Sequence, residues 1–368
     1  MKDIQAAVVE KKEGKFNMKS LQLKDLQPNE VLVEIKGVGI CHTDLTARDQ
    51  SYDVPLPMVL GHEGSGVVTE VGKAVKKVKK GDHVVLTYGS CGVCRTCLEG
   101  TPQYCEKFFG LNFGGERLDS DEEAIDQGKE EIHSRFFQQS SFATFSIATE
   151  RNVVKVDKKA PLELLGPLGC GVQTGAGAVI NSLQPVAGST IAIFGTGSVG
   201  LSAVMAAKIC GCLTIIAVDI NPARLKLAKE LGATHTINSK EVDNVVEEIQ
   251  KLTDKGVDYA AETSGVPEVL AQAVNALRWK GKVAVVGAPP MGTTAAIDVN
   301  QILVWGKQIV GVVEGDSIPD VFIPRLIKYY MEGQFPFDKL VTNYKFDEIN
   351  TAIQEMESGD AIKPILTF

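Results

Sequence analysis

Four cysteines lie within fifteen residues of each other, in the stretch "CGVCRTCLEGTPQYC". They are separated by two, two and seven residues, and they are Cys91, Cys94, Cys97 and Cys105. Four thiolates on one loop suit a closed tetrahedral zinc site, because Zn²⁺ favours sulfur and imposes no geometry of its own. An iron–sulfur cluster also takes four cysteines, so the spacing leaves this second interpretation open. Four unrelated buried thiols would explain the pattern poorly in a chain with eight cysteines.

A second set of candidate metal ligands is spread over the first half of the chain. Cys41 lies in "GICHTD" and Cys170 in "GPLGCGVQTGAG", while "GHEGSGVVTEVG" between them supplies His62 and Glu63. Two cysteines and one histidine form a ligand set of catalytic zinc sites, which keep a fourth position open. His42 is adjacent to Cys41, and neighbouring side chains point apart, so we expect only one of the two to reach a given ion.

The stretch "IAIFGTGSVGLSAV" carries Gly195, Gly197 and Gly200 in the order G-x-G-x-x-G. It follows a strand-like run and opens a helix-like run, and its last glycine, Gly200, precedes Asp219 by nineteen residues. This is the context of a dinucleotide site. The glycines permit a tight turn and the close approach of a pyrophosphate to the helix N-terminus. Asp219 would accept hydrogen bonds from the adenosine ribose and repel a 2′-phosphate. The sequence therefore predicts a site that prefers NAD to NADP.

Two kinds of segment must position these residues. Up to about residue 175, short Val-rich runs broken by glycine predict a β-rich domain. Beyond that point, strand-like and helix-like runs alternate and predict a parallel sheet with covered faces, and the tail ends in the strand-like "KPILTF". The predicted fold class is α/β, with a zinc-binding domain of residues 1–170 that is completed by 314–368 and an inserted nucleotide-binding domain of residues 171–313.

The composition is that of an ordinary globular protein, with 44% hydrophobic and 23% charged residues and a formal net charge of −8. Residues 116–131 hold eight acids and two bases, so most of the acidity is local. The lysines between Lys73 and Lys80 lack interleaved aromatic residues, which argues against a nucleic-acid partner. Residues 164–207 carry no charged side chain, but their nine glycines and two prolines favour a buried core over a membrane span. The N-terminus lacks a signal-peptide pattern, and a cytoplasmic location is expected.

The chain resembles the zinc-dependent medium-chain alcohol dehydrogenases from end to end. The stretch "GHEGSGVVTEVG" is similar to the zinc signature of that family, and both the cysteine spacing and the glycine fingerprint agree with it. Within the family, "CHTDLTARDQ", "QSSFATF" and "LELLGPLGCGVQTGAG" look like aryl- (benzyl-) alcohol dehydrogenases. The resemblance implies a GroES-like catalytic domain with an inserted Rossmann domain, two zinc ions per chain and NAD. A homo-oligomer, either a dimer or a tetramer, is also expected.

The resemblance assigns the metal ligands by position. Cys41, His62 and Cys170 match the catalytic zinc ligands, and Glu63 matches a nearby acid that can approach the metal. Asp44 matches the carboxylate that orients the zinc-bound imidazole, as ligating histidines usually require. The cysteines at 91, 94, 97 and 105 match the structural zinc site.

The same match assigns the cofactor and proton contacts. His42 matches the residue that contacts the NAD pyrophosphate, while Thr43 faces the zinc and would receive the proton of the alcohol. Thr174 would pack on the nicotinamide, Arg224 would lie near the ribose, and Lys363 would reach the pyrophosphate. The metal would lower the pKa of the alcohol, and hydride would pass to the nicotinamide.

One position departs from the family pattern. Many relatives carry a histidine five residues after the cysteine ligand, where it serves as the terminal base of the proton relay. This chain has Thr46 there, and a threonine hydroxyl is not a base near neutral pH. His42 and Thr46 are the nearby candidates to carry the proton. We expect Thr46 to pass it to bulk solvent through an ordered water, so that no single side chain is the terminal base.

The resemblance also predicts the substrate class. Tyr52, Tyr88 and Phe142 match positions beside the zinc, which favours a primary aromatic alcohol that is oxidised reversibly to an aldehyde. The alternatives within the same chemistry are an aliphatic or terpenoid primary alcohol and an S-hydroxymethyl thiol adduct. The alternative from another class is a non-catalytic metalloprotein or a zinc-free reductase, since fold alone does not determine function.

Overall fold

The computed structural model describes residues 1–115, 117, 125–126 and 132–368. The acidic segment at 116–131 therefore lies almost entirely outside the described residues. The chain divides into two compact units. The first comprises Met1–Cys170, Ile318–Lys328 and Asp338–Phe368, and the second comprises Gly171–Ser317 and Tyr329–Phe337. The predicted domains, residues 1–170 with 314–368 and residues 171–313, stay a prediction.

The two units share one numbering of strands and helices along the chain. The strands are β1 (Lys2–Val9), β2 (Phe16–Leu23), β3 (Glu30–Gly39), β4 (Met58–Val59), β5 (Glu63–Val71), β6 (His83–Leu86), β7 (Ile125–Asp126), β8 (Phe145–Thr149), β9 (Val153–Lys155), β10 (Thr190–Phe194), β11 (Thr214–Asp219), β12 (His235–Asn238), β13 (Val257–Glu262), β14 (Leu277–Val285), β15 (Gln308–Gly311), β16 (Val341–Lys345) and β17 (Lys363–Thr367). The helices are α1 (His42–Arg48), α2 (Arg95–Leu98), α3 (Phe108–Phe113), α4 (Gly171–Gly177), α5 (Ser198–Ile209), α6 (Pro222–Leu231), α7 (Val245–Leu252), α8 (Pro267–Ala276), α9 (Val299–Leu303), α10 (Pro319–Met331) and α11 (Ile349–Ser358).

The first unit is built on two sheets of mostly antiparallel strands. One sheet has the order β4–β1–β2–β7, and the other has the order β16–β17–β3–β5–β6–β9 with β8 paired to β3. The Val-rich runs suit these strands, because β-branched side chains pack well on a pleated surface. Val8, Val33 and Val68 from β1, β3 and β5 join Ile353 of α11 in one buried core.

Strand β3 brings together three segments that are far apart in the sequence. Its last residue, Gly39, is opposite Glu63 of β5 on one side and Ile365 of β17 on the other. A Cβ atom added to Gly39 would lie 2.1 Å from Glu63 Oε2. The end of β3 therefore needs a glycine, and the start of β5 and the start of β17 flank it on opposite sides.

The second unit contains a six-stranded parallel sheet in the order β12–β11–β10–β13–β14–β15. The strand order reverses between β10 and β13, and nucleotides bind at such reversals in open α/β sheets. Ala192 and Phe194 on β10 and Ile216 and Val218 on β11 are buried, as expected for strands covered on both faces. Together with the β-rich first unit, this parallel sheet confirms the predicted α/β fold class.

Local signals set the ends of the helices in the second unit. Asn221 caps α6 by accepting hydrogen bonds from the backbone N–H groups of Ala223 and Arg224. Pro222 occupies the first turn, where its missing N–H costs nothing, and Gly232 ends the helix at a φ of +131°.

The uncharged stretch 164–207 folds into short 3₁₀ turns, helices α4 and α5 and strand β10, and most of its side chains are buried. Within the part of the chain that the structure describes, no helix combines the length and the apolar character that crossing a lipid bilayer requires.

Candidate catalytic and metal-binding site

Cys41, His62, Glu63 and Cys170 lie together in the first unit. One ligand atom from each of the four lies within 4.8 Å of the others. Cys41 precedes α1, and His62 and Glu63 stand where β5 begins. Cys170 follows a 3₁₀ turn and is buried, as are His62 and Glu63. The structure thus gathers the predicted catalytic ligand set and the acid predicted to lie near it.

The carboxylate of Asp44 fixes the imidazole of His62. Asp44 Oδ1 accepts hydrogen bonds from His62 Nδ1 at 2.9 Å and from the Gly61 N–H at 3.1 Å. Asp44 Oδ2 accepts a hydrogen bond from the Cys41 N–H at 2.9 Å. Because a carboxylate only accepts hydrogen bonds, Nδ1 must carry a proton, and Nε2 is the nitrogen available to a metal.

The donor atoms at this site fit a zinc ion. His62 Nε2 is buried and has no hydrogen-bond partner among the described residues, a costly state for a polar atom unless a ligand completes it. The pKa of the Cys41 thiol lies well below its ordinary value, chiefly because the Cys170 thiol donates a hydrogen bond to it. Burial alone would lower the pKa of His62, but the charge of Asp44 raises it well above the ordinary value. Metal binding would therefore displace a proton.

Glu63 is paired with Lys363. Lys363 Nζ donates hydrogen bonds to both carboxylate oxygens of Glu63 at 3.0 Å and to the carbonyl oxygen of Ile40 at 3.1 Å. Burial raises the pKa of Glu63. Burial would lower the pKa of Lys363, but the Glu63 carboxylate more than offsets this effect and raises it. Lys363 therefore neutralises the acid beside the metal ligands, and its predicted contact with the cofactor pyrophosphate stays a prediction.

The residues predicted to carry protons lie at the start of α1. The Thr43 hydroxyl is 3.8 Å from Cys41 Sγ, beside the candidate ligands. His42 is the first residue of α1, and its side chain is exposed. The Thr46 hydroxyl donates a hydrogen bond of 2.9 Å to the backbone carbonyl of His42. Of the adjacent pair, Cys41 thus belongs to the ligand cluster and His42 faces away, and the roles of His42 and Thr46 stay predictions.

The four closely spaced cysteines form a second cluster, in which all four sulfur atoms lie within 4.8 Å of one another. Cys94 Sγ and Cys105 Sγ are 3.9 Å apart, which matches the roughly 3.8 Å between thiolates around one tetrahedral zinc with bonds of about 2.3 Å. An iron–sulfur cluster places several atoms between its cysteines and needs wider spacing. The geometry therefore favours a single ion.

Hydrogen bonds prepare these sulfur atoms for a metal. The N–H of Cys91 donates to Cys105 Sγ at 3.3 Å, and the N–H of Cys94 donates to Cys91 Sγ at 3.4 Å. The Thr96 hydroxyl lowers the pKa of Cys94 to about 5, whereas burial raises the pKa of Cys97 to about 12. A divalent cation would hold all four as thiolates, because it offsets the cost of burying their charge.

Aromatic rings surround His62 on one side. Phe137 stacks on the imidazole with ring centroids 4.5 Å apart, and Phe136 meets it edge-on at 5.5 Å. Phe113 packs on Phe137 at 5.3 Å, and Tyr52 packs on Phe113 at 5.3 Å. We call this connected set, which also includes Tyr88, Phe108 and Phe109, the aromatic wall.

The match of positions predicts Tyr52 and Tyr88 of the wall but none of its phenylalanines. The doublets "FF" in "EKFFGLNF" and "SRFFQQSS" were the signal that could have identified them. The third predicted ring, Phe142, is fully buried and packs edge-on against Phe16 at 5.6 Å. Its place in the substrate pocket stays a prediction.

The segment that carries Phe136 and Phe137 has an unusual backbone. Arg135, Phe137, Gln138 and Ser140 have positive φ values of 76°, 51°, 54° and 51°. Residues other than glycine adopt this region at a cost, and such residues cluster at functional sites. Polar contacts hold the segment in place, since Asn152 Nδ2 donates to the carbonyls of Phe137 and Gln138. The position of Phe137 against His62 is therefore held by its surroundings.

The glycine fingerprint of the second unit has room for a phosphate. Gly195 has a φ of +87°, and a Cβ atom at Gly200 would lie 1.9 Å from the carbonyl oxygen of Gly195. A Cβ atom at Gly197 would meet nothing within 4 Å, and Gly197 immediately precedes α5. Two of the glycines thus shape the turn, while the third leaves open space at a helix N-terminus, where phosphates bind.

The other predicted cofactor contacts also lie in the second unit. Asp219 ends β11. Arg224 lies in the first turn of α6, and its Nε atom is buried without a hydrogen-bond partner in the part of the chain described. Thr174 lies in α4 and is half-buried. Their contacts with NAD stay predictions.

Comparison with known proteins agrees with this site. Residues 27–158 match the alcohol dehydrogenase GroES-like domain, and residues 198–328 match the zinc-binding dehydrogenase domain. The chain therefore belongs to the zinc-dependent medium-chain alcohol dehydrogenase family, as the sequence motifs predicted. It is an alcohol dehydrogenase that depends on zinc and a nicotinamide cofactor.

Individual relatives cover nearly the whole chain. Geraniol dehydrogenase of Castellaniella defragrans is 43% identical over 99% of this chain and 97% of its own length. The crystal structure of benzyl alcohol dehydrogenase from Acinetobacter calcoaceticus is 52% identical, with a TM-score of 0.97 over 100% of both chains. An alcohol dehydrogenase zinc-binding domain protein from Burkholderia ambifaria is 54% identical, with a TM-score of 0.97 over 100% of this chain and 99% of its own.

The Glu63–Lys363 pair generates a stability prediction. Lys363→Met removes the hydrogen-bonded counter-charge of the buried Glu63 carboxylate, so we expect the free energy of unfolding to fall by about 3–5 kcal/mol. Lys363→Arg keeps the charge and should lose much less. Adding Glu63→Gln to Lys363→Met should restore most of the lost stability, because the unpaired Glu63 carboxylate is then absent. Urea unfolding of the zinc-loaded protein measures all three variants, and a Lys363→Met protein as stable as the parent contradicts the pairing.

Proposed function

We propose that this protein is an NAD-dependent zinc alcohol dehydrogenase that oxidises primary aromatic alcohols of the benzyl type reversibly to aldehydes. The observation that carries the substrate class is the aromatic wall, whose member Phe137 stacks on His62 at 4.5 Å. Stacked and edge-on ring pairs add about 0.5–1.5 kcal/mol beyond the area they bury. A substrate ring seated on this wall has its hydroxyl-bearing carbon beside the metal ligands.

The relatives support two substrate classes. The similarity to a benzyl alcohol dehydrogenase at 52% identity favours the aromatic alcohol. The similarity to a geraniol dehydrogenase at 43% identity favours a terpenoid alcohol as the second candidate, because a planar alkene beside the hydroxyl can also pack on aromatic rings. Simple aliphatic alcohols and S-hydroxymethyl thiol adducts gain least from such a wall.

The residues of the first unit have separate roles in the reaction. Cys41, His62 and Cys170 would hold the zinc ion, which would act there as a Lewis acid that lowers the pKa of an alcohol. Asp44 keeps the His62 ring in one orientation. The Thr43 hydroxyl, 3.8 Å from Cys41 Sγ, is placed to take up the proton that the alcohol releases.

The remaining residues isolate the site and pass the proton on. The Thr46 hydroxyl already donates to a backbone carbonyl, so its oxygen is left to accept a hydrogen bond from a water that leads to solvent. Lys363 holds Glu63 as a neutralised pair beside the ligands. The aromatic wall excludes water from the side on which the substrate ring sits, which strengthens the electrostatic interactions at the site.

We expect two zinc ions per chain, one in each cluster. Cys170→Ala should lose one zinc and all activity but remain folded, and Cys94→Ala should lose the other zinc and much of its stability. Cys212→Ala removes a buried thiol that belongs to neither cluster, so it should keep both zincs. Elemental analysis of the purified proteins gives the counts. Two zincs retained in Cys170→Ala rule out the catalytic assignment.

Benzyl alcohol should exceed ethanol in kcat/KM. Phe137→Leu should reduce that advantage by about 2- to 10-fold, which corresponds to the ~0.5–1.5 kcal/mol of one aromatic pair. Initial rates with benzyl alcohol, geraniol, ethanol and S-hydroxymethylglutathione, each with NAD, make the comparison. Phe142→Leu tests in the same assay whether the third predicted ring contacts the substrate. Geraniol as the best substrate selects the second candidate, and ethanol as the best excludes the aromatic one.

We propose that the protein is a homo-oligomer. Its subunits meet at the edge of the parallel sheet in the second unit. Strand β15 is the last strand of that sheet, and an open edge with apolar side chains is a template for pairing with another chain. Ile309 on β15 and the nearby Trp279, Leu303 and Val304 are exposed, between 38% and 76%. A second copy related by a two-fold axis would pair β15 with itself and cover this patch.

Light scattering coupled to size-exclusion chromatography tests this interface. Ile309→Lys places like charges opposite each other across the two-fold axis and should shift the protein towards the monomer. Val186→Lys is the matched control, because Val186 is 70% exposed in the same unit and lies outside the patch. A monomeric parent protein rejects the oligomer, and an unchanged Ile309→Lys oligomer rejects this interface.

A further inference from the structure

Thr196, the residue between the first two glycines of the fingerprint, is fully buried and bonded to Asp219. Its backbone N–H and its hydroxyl both donate to Asp219 Oδ2, at 2.5 Å and 2.7 Å. The backbone N–H of Asn221 donates to Asp219 Oδ1 at 2.9 Å. The acid expected to contact the ribose is thus already bonded on both oxygens by its own chain.

These bonds restrict how Asp219 can meet a ligand. An ionised carboxylate presents about four acceptor positions, and three are used by Thr196 and Asn221. The backbone is also fixed, because Asp219 is opposite Asn238 in the sheet and its carbonyl accepts from the Ser239 N–H at 3.0 Å. At most about one acceptor position therefore remains for the ribose, and its direction is set by Thr196.

We propose that Thr196 is a positioning residue that determines the choice between NAD and NADP. It holds the carboxylate so that the remaining acceptor position faces the 2′ position of the adenosine ribose. A 2′-hydroxyl can donate a hydrogen bond to that position. A 2′-phosphate is repelled by it, because the phosphate is anionic at neutral pH and the fixed carboxylate cannot turn away. This inference rests on the NAD preference proposed above.

Arg224 explains why the orientation of Asp219 matters in addition to its charge. Asn221 connects the backbones of the two residues, since its backbone N–H donates to Asp219 Oδ1 and its side-chain oxygen accepts from the backbone N–H of Arg224 at 3.4 Å. An arginine near this point is what accommodates a 2′-phosphate in NADP-binding proteins. A carboxylate released from Thr196 could turn towards the Arg224 guanidinium and leave the 2′ position without its negative charge.

Isothermal titration calorimetry of the zinc-loaded protein with NAD and with NADP tests the proposal without relying on turnover. Thr196→Val removes the hydroxyl and keeps the branched shape, and it should lower the ratio of Kd for NADP to Kd for NAD by about tenfold. Thr196→Ser keeps a hydroxyl and should retain the ratio of the parent. Asp219→Gly removes the carboxylate and gives the ratio of the two dissociation constants in the absence of its charge.

The same strand supplies a matched control at its other end. The N–H and hydroxyl of Thr190 both donate to one oxygen of Asp258, at 2.8 Å and 2.9 Å, and Thr190 begins β10 whereas Thr196 follows its end. Thr190→Val therefore removes the same kind of bond away from the glycine fingerprint. It should change neither dissociation constant.

The outcomes separate this proposal from the proposed function. A parent protein that binds NAD and NADP equally overturns both the NAD preference and the role of Thr196. A parent that prefers NAD, with a ratio unchanged in Thr196→Val but lowered in Asp219→Gly, overturns the role of Thr196 alone. Equal weakening of both cofactors in Thr196→Val also overturns it, because the residue is then merely structural. Thermal unfolding checks each variant, and Thr196→Ala makes the same test if the valine protein does not fold.

Discussion

The geometry of the candidate zinc site depends on one buried carboxylate, that of Asp44. It accepts hydrogen bonds from the Cys41 N–H, the Gly61 N–H and the ring of His62, and a buried charge with fewer partners would be costly. The segment before α1 and the segment before β5 are therefore joined through a single side chain. His62 cannot rotate without leaving Asp44 unsatisfied, so its Nε2 atom stays directed at the two thiols. The stacking of Phe137 depends on this fixed ring.

The second unit uses the same physical device for the cofactor. Asp219 is held by Thr196 and Asn221 as Asp44 is held by its three donors. In each case the chain fixes an acid before any ligand arrives, so the ligand meets a charge of defined position. Preorganised groups of this kind cost no reorganisation at the moment of binding or reaction.

Much of this architecture was readable from the sequence because its signals are local. The spacing of the four cysteines, the glycine fingerprint with Asp219, and the alternation of strand-like and helix-like runs all lie within short stretches. What the sequence could not show depends on long-range packing. Lys363 and Glu63 are 300 residues apart, and the wall phenylalanines meet only in the folded unit.

Backbone conformation limits sequence reasoning in a different way. Arg135 and Phe137 have a left-handed backbone. Arginine and phenylalanine rarely adopt this conformation, so their backbone propensities predict a different one. The bond between Thr196 and Asp219 was also hidden, because a threonine between two glycines has many possible partners. Phe142 was assigned to the pocket by a match of position alone. Its ring packs on Phe16, and its place in the pocket stays a prediction.

The central claim is that one zinc ion is held by two thiolates and one imidazole, beside a second held by four thiolates. X-ray absorption at the zinc edge of the purified protein tests it most directly. Averaged over the two zinc ions, the shell should hold about three sulfur atoms at about 2.3 Å and about one nitrogen or oxygen atom at about 2.0–2.1 Å, when a water fills the open fourth position beside the imidazole. A shell of sulfur alone would contradict it, because zinc would then occupy only the four-cysteine cluster.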